Sequence, residues 1–265
     1  MLEGFDHAIL GVADLARAEA DLRGLGFTVT ARPDVGATDT ENRLICLADE
    51  SYIEVFTLRG PPSASTHRWA PQLAKGDGWL DYSVHVTDAA AEAARLGPAG
   101  LPAIGPRSGG RALTDGRRWG VSVLIAGRGA GSPVLPFLIQ DTESRAVRVP
   151  GGEAAVQPNG ATGVIGVTLL TAALAGIEAG LTAIYGNGAS MTRPDAAAAR
   201  RYEFAGRWVD VIQPANSARE AIEHLNTRGE GVYEVTLGKI GQHSTGEGRL
   251  LPLPATHGAR LRLAT

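Results

Sequence analysis

The chain has 265 residues, 44% of them apolar and 20% charged, enough to bury a sizeable core and unlike the composition of a disordered chain. Its 25 basic and 28 acidic residues give a net charge of −3 and are mixed along the sequence, so no face is prepared for a nucleic-acid backbone or an anionic membrane. A start with no basic region and no run approaching about 18 apolar residues predict a cytoplasmic protein, and the single cysteine, Cys46, excludes an internal disulfide and any multi-cysteine zinc site.

Residues 5–12 read as an apolar strand that carries His7 near its start. Asp14 can cap the helix that follows, whose leucines and alanines recur at helical spacing through Leu22 and Leu25 until Gly26 stops it. Strands are predicted at 27–31, 43–48 and 52–58, giving the order β-α-β-β-β. That order recurs from residue 78, with a strand, Asp88 as cap, a short alanine-rich helix ending in glycine, and strands at 118–125 and 134–140. A third start spans 161–186, ending at Gly186, with closing strands within 201–214. The fourth is a fragment, 231–240 and 257–265, with no convincing helix between; a helix-like piece at 217–227 precedes it and is expected to pack outside. Repetition of this kind is a cue to architecture, and it amounts to three and a half units. The Gly- and Pro-rich stretch 146–163 reads as a linker, dividing a paired unit over 1–150 from a degenerate one over 160–265.

With "FDHAILGVADL", "ENRLICLADESYIEVFTLRG" and "LPFLIQD" added to that order, the chain resembles the vicinal oxygen chelate superfamily, which includes glyoxalase, bleomycin-resistance and extradiol dioxygenase proteins. The resemblance is to its glyoxalase-like domain branch over the first half, and by pattern only over the second. It implies an α+β fold in which βαβββ units curl into half-open mixed-sheet barrels, helices packed outside. It also implies a divalent metal (Fe, Mn, Ni or Zn) inside the barrel, held by His, Gln or Glu on the first and last strands and binding two neighbouring substrate oxygens. His7 matches the first-strand ligand and Glu54 in "YIEV" the last-strand ligand. In the second unit either Asp81 or Tyr82 falls opposite His7, a one-residue ambiguity that reverses the face, with Asp81 the candidate third ligand. Leu138 or Ile139 stands where a carboxylate is expected, which departs from the pattern. In the C-terminal half Val167 falls near the first-strand position, Asp210 matches Glu54, Glu234 matches His7 and Arg262 takes the final position. These read as a charge-satisfied buried cluster with arginine in place of the cation.

The segment 105–120 holds five glycines and four arginines and could close over an anionic ligand through Arg107, Arg111, Arg117 or Arg118; a solvated hairpin is the more frequent reading of such a segment. It lacks the Gly-Lys-Ser/Thr ending of a phosphate loop. Asn42 could orient a polar ligand or sit in a turn, and Trp79, Tyr82 and Trp119 could wall a ligand pocket or fill the core. Cys46 reads as a buried, inert thiol, and His243 and His257 as surface histidines. Two functions fit. One is an enzyme acting on a small oxygenated metabolite by lyase, isomerase, ring-opening or acid–base chemistry, with His7 and Glu54 as metal ligands or as a proton-transfer pair. The other is a protein that binds or sequesters a small molecule in the same cavity. In either case the C-terminal half could complete the barrel or mediate a homodimer.

Overall fold

The computed structural model describes residues 1–35, 38–127, 131–238 and 248–264. The first unit is β1 (Leu2–Gly11), α1 (Leu15–Gly24), β2 (Thr40–Cys46) and β3 (Tyr52–Leu58). Asp14 caps α1 by accepting the Arg17 N–H, and the helix buries Leu15, Ala18 and Leu22, the stripe that its apolar spacing foretells. The strand expected at 27–31 does not form. Phe27 and Val29 are buried there, but the backbone is taken up by the later chain: the Thr28 N–H donates to Gln157 Oε1, and only an isolated bridge joins Thr30 to Leu44 among the described residues.

The second unit comprises a four-residue helix α2 (Ala70–Leu73), β4 (Gly78–Val86), α3 (Ala89–Leu96) capped by Asp88, β5 (Ala103–Ala112), β6 (Arg118–Ala126) and β7 (Phe137–Asp141). β5 and β6 are an antiparallel hairpin, so the Gly- and Arg-rich segment is sheet, much of it exposed, and not a loop lid. Then come α4 (Arg145–Arg148), β8 (Val164–Leu170), α5 (Leu174–Tyr185), β9 (Ala189–Ser190), β10 (Ala196–Phe204), β11 (Arg207–Pro214), α6 (Arg219–Arg228), β12 (Gly231–Leu237), β13 (Arg249–Leu250) and β14 (Arg260–Leu263).

The strands form two seven-stranded mixed sheets, β2-β3-β1-β4-β7-β6-β5 and β13-β14-β12-β8-β11-β10-β9. Each is a curled half-barrel, and with six helices the fold is α+β. In the first, β1 runs parallel to β3 and antiparallel to β4; in the second, β12 stands in the same relation to β14 and β8. A bridge from Asp34 to Leu113 and a bond from the Val35 N–H to the Ala112 carbonyl draw the two ends of the first sheet together. One apolar cluster runs through both sheets, with Phe5 packed edge-on against Phe204 at 5.1 Å. Among the described residues no helix is long and apolar enough to cross a membrane.

Candidate active site

On a regular strand, neighbours point to opposite faces. Between the pairs Phe5/Val84 and His7/Ser83 the β1 register slips, leaving Asp6 as an extra residue. This bulge brings the Asp6 and His7 side chains together, with Asp6 Oδ1 2.5 Å from His7 Nδ1. From β3, Tyr52 and Glu54 share one face. The Tyr52 ring stacks on the imidazole at 4.5 Å, and Phe137 from β7 meets it edge-on at 5.4 Å. Glu54 Oε2 lies 3.4 Å from His7 Nε2, and Glu54 Oε1 accepts from Asn42 Nδ2 at 2.6 Å.

Behind Asp6, the buried Arg148 donates to both Asp6 oxygens at 2.9 and 2.6 Å, to the Tyr52 hydroxyl at 3.1 Å and to Asp141 at 2.7 Å. Arg145 donates to Asp6 and Asp141 as well, at 2.7 and 2.8 Å. Burial alone raises the Asp6 pKa, but Arg148 and His7 outweigh it and hold the carboxyl well below the usual range. Burial likewise favours neutral His7; the bonds to Asp6 and Glu54 overcome it and raise the imidazole above 6.5. Glu54, pushed up by burial, is brought net below 4.5, chiefly by His7. Both shifts favour the protonated imidazole between two ionised carboxylates.

His7 and Glu54 line a cavity of about 580 Å³, the size of a small-metabolite pocket. Arg32 stacks over Trp119 at 4.4 Å and pairs with Asp34, which also accepts from Trp119 Nε1 at 2.7 Å. Arg111 reaches Thr38 Oγ1 at 3.2 Å and has no carboxylate within ion-pair distance among the described residues. Phe56, His67 and Trp69 form an aromatic wall. His67 is pulled below 6.5 by burial, and its Nδ1 accepts the Trp69 N–H, so the neutral ring carries its proton on Nε2.

Of the residues singled out from sequence, His7, Glu54, Asn42, Arg111 and Trp119 meet at this cavity. Asp81 does not join His7 and Glu54: it pairs with Arg68 and accepts from Trp69 Nε1. Tyr82 and Trp79 do not line the cavity: the tyrosine hydroxyl donates to the Val134 carbonyl and accepts from the Tyr185 hydroxyl, and the Trp79 indole donates to the Arg260 carbonyl. Arg107, Arg117 and Arg118 are exposed on the hairpin. The Cys46 thiol is buried and pushed up to about 11. His257 is no surface residue; it is largely buried between Asp77 and Asp21. His243 lies outside the described residues. Asp6, Tyr52, His67 and Arg148 were not singled out, although Tyr52, two residues before Glu54, shares its face by strand alternation alone.

The implied metal does not fit. Strand register places Ser83 and Phe137, not Asp81, Leu138 or Ile139, level with His7. The donors are then one imidazole nitrogen and one carboxylate, fewer than the three protein ligands such an ion ordinarily takes. Among the described residues no group of three candidate ligands exists.

In the second sheet Glu234 stands at the position of His7 and Arg262 at that of Glu54, but Thr168 rather than Val167 faces Glu234, and Asp210 corresponds to Phe137. The expected single cluster is two bidentate pairs, Glu234 with Arg262 and Asp210 with Arg201.

Two curled mixed sheets, the first with an inward His and Glu on its neighbouring strands, define a protein of the vicinal oxygen chelate class. Residues 5–185 match the family described as "Glyoxalase-like domain", and the chain belongs to that family. A hypothetical protein from Staphylococcus aureus shares the fold at TM-score 0.70 and 15% identity, over 98% of each chain. A mutant of 4-hydroxymandelate synthase from Streptomyces coelicolor aligns at TM-score 0.57 and 17% identity, over 89% of this chain and 71% of that one. A search of curated proteins finds no match.

Proposed function

We propose that the protein is an enzyme that moves a proton on a small, oxygenated, anionic metabolite in the N-terminal cavity, by lyase or isomerase chemistry that needs no metal. The observation that carries this reading is His7, with Nδ1 held by Asp6 and Nε2 beside Glu54 at the cavity wall. Asp6 fixes the ring and stabilises its charged form, the role of the orienting carboxylate in a catalytic triad. Glu54, kept ionised, accepts the carbon-bound proton as the electron pair moves onto the neighbouring carbonyl oxygen, and the His7 Nε2 proton is given to the oxyanion that develops there. Arg111 supplies a cation for a substrate carboxylate, and His67 Nε2 and the aromatic wall position the remainder.

One observation favours binding without turnover: both His7 nitrogens and both Glu54 oxygens already have protein partners, so a substrate must displace the His7–Glu54 contact. Proton NMR in D2O of 2-oxo and 2-hydroxy acids incubated with the protein separates the two. The enzyme reading expects loss of a carbon-bound proton signal, slowed about 10²- to 10⁴-fold in His7→Gln. Exchange at the same rate in that variant removes His7 from the chemistry, and saturable binding with no exchange supports the binding reading.

A further inference from the structure

The second sheet encloses its own cavity, of about 720 Å³, away from His7 and Glu54. Among the described residues no histidine lines it, so it does not repeat the first site. Among the described residues five arginines and four carboxylates line it, and three of those carboxylates are spoken for: Asp210 by Arg201, Glu234 by Arg262, Asp195 by Arg193. Arg219 has no ion pair among the described residues, and Arg260 shares the exposed Glu220 and, at 3.6 Å, Glu234.

The unmet polar groups here are donors. Trp208 lines the cavity at 6% exposure, and among the described residues its indole Nε1–H meets no acceptor; Arg260 Nε is in the same condition. A buried donor left without an acceptor is costly, so the Trp208 indole is poised for an acceptor brought in from outside, and Arg260 Nε, beyond hydrogen-bond distance of Glu234, can turn to the same one. The first turn of α6, Ala218 to Ala221, also opens onto the cavity with no side-chain cap, directing the positive end of a helix at the same space. Two guanidinium planes are stacked on the aromatic rings of the lining, Arg201 on Trp208 at 4.6 Å and Arg260 on Tyr233 at 4.7 Å.

We infer that this second cavity is a binding site for a small anion, a carboxylate or phosphate carried on a flat apolar ring. The anionic oxygens take the Trp208 indole N–H, Arg260 and the α6 N-terminus, and the ring lies against the guanidinium planes stacked on Trp208 and Tyr233. The inference does not rest on the acid–base reading of the first cavity.

The test labels the four tryptophan indoles with 15N, assigns Trp208 through Trp208→Phe, and titrates benzoate, phenyl phosphate and neutral benzamide. The expected result is a saturable shift of the Trp208 signal with benzoate or phenyl phosphate, the arms telling which anion is preferred, and no shift with benzamide. Arg260→Met should weaken binding about tenfold or more, as loss of a charge-assisted bond does. Because Arg260 also packs on Tyr233, the exposed Arg219→Ala serves as a second variant that leaves the fold intact and still weakens binding. No shift in either anion arm, an equal response to benzamide, or a shift confined to Trp119 and Trp69 in the first cavity overturns the inference.

Discussion

Asp6 and His7 are adjacent on one strand, yet their side chains meet at 2.5 Å because β1 carries a bulge between them. That contact aligns a guanidinium, a carboxylate and an imidazole in series, from Arg148 through Asp6 to the cavity wall. A strand of ordinary register would send one of the two side chains to the opposite face.

Arg148→Met should be severely destabilising. It leaves Asp6, fully buried, without its bidentate partner, and breaking a buried pair from one side costs about 3–5 kcal/mol. Urea denaturation followed by circular dichroism measures this; a change below about 1 kcal/mol would show that Arg145 alone suffices for Asp6.

The same cluster fixes the acid limb of stability. Asp6 and Asp141 are held below their ordinary value of 3.8, so their contribution is complete above that value and is lost as pH falls through the depressed folded values. His7 has the opposite sign. Raised above 6.5, it contributes below that pH, and the contribution disappears as pH rises through its folded value. Urea midpoints against pH should therefore show wild type exceeding His7→Gln most below about 6.5, with the gap narrowing on the alkaline side. A gap that widens with rising pH contradicts the sign.

Gly166→Ala tests the packing of the second sheet. A Cβ there would stand 2.1 Å from the Trp208 ring, whereas one at Gly176 in α5 meets nothing within 4 Å. Overpacking should cost the first variant about 1–3 kcal/mol or more. The second should be neutral, or gain about 0.5–1 kcal/mol from better helix propensity. Equal thermal stabilities for the two would mean that the indole does not lie on β8.

Dialysis against a chelator addresses the donor set. With only His7 and Glu54 converging among the described residues, treatment should leave His7-dependent proton exchange unchanged. Loss of exchange, restored by Fe, Mn, Ni or Zn, would show that the site recruits ligands that this arrangement does not supply.

Much of this architecture is legible in the residues. Asp14 and Asp88 mark helix starts and Gly186 a helix end, and the His7–Glu54 pairing is what the resemblance to the vicinal oxygen chelate superfamily implies. What escaped depends on contacts distant in the chain. The segment 27–31 alternates like a strand but is captured by residues 156 and 157. β5, rich in Gly and Arg, has no apolar alternation to announce it and is a strand only because β6 pairs with it. Asp81 and Tyr82 could not be separated because a single-residue slip decides the face, and β4 carries such a slip between Asp81 and Trp79. Arg148 lies in what reads as a linker, and its role appears only once α4 is folded back onto Asp6.

The titration of the His7 ring, followed by 15N NMR of the histidine side chains in wild type and in Glu54→Gln, tests the central claim without a known substrate. The account predicts a His7 pKa above 6.5 that falls when the Glu54 charge is removed. A value at or below 6.5, or one indifferent to Glu54→Gln, would contradict an imidazolium held between two carboxylates at the cavity wall.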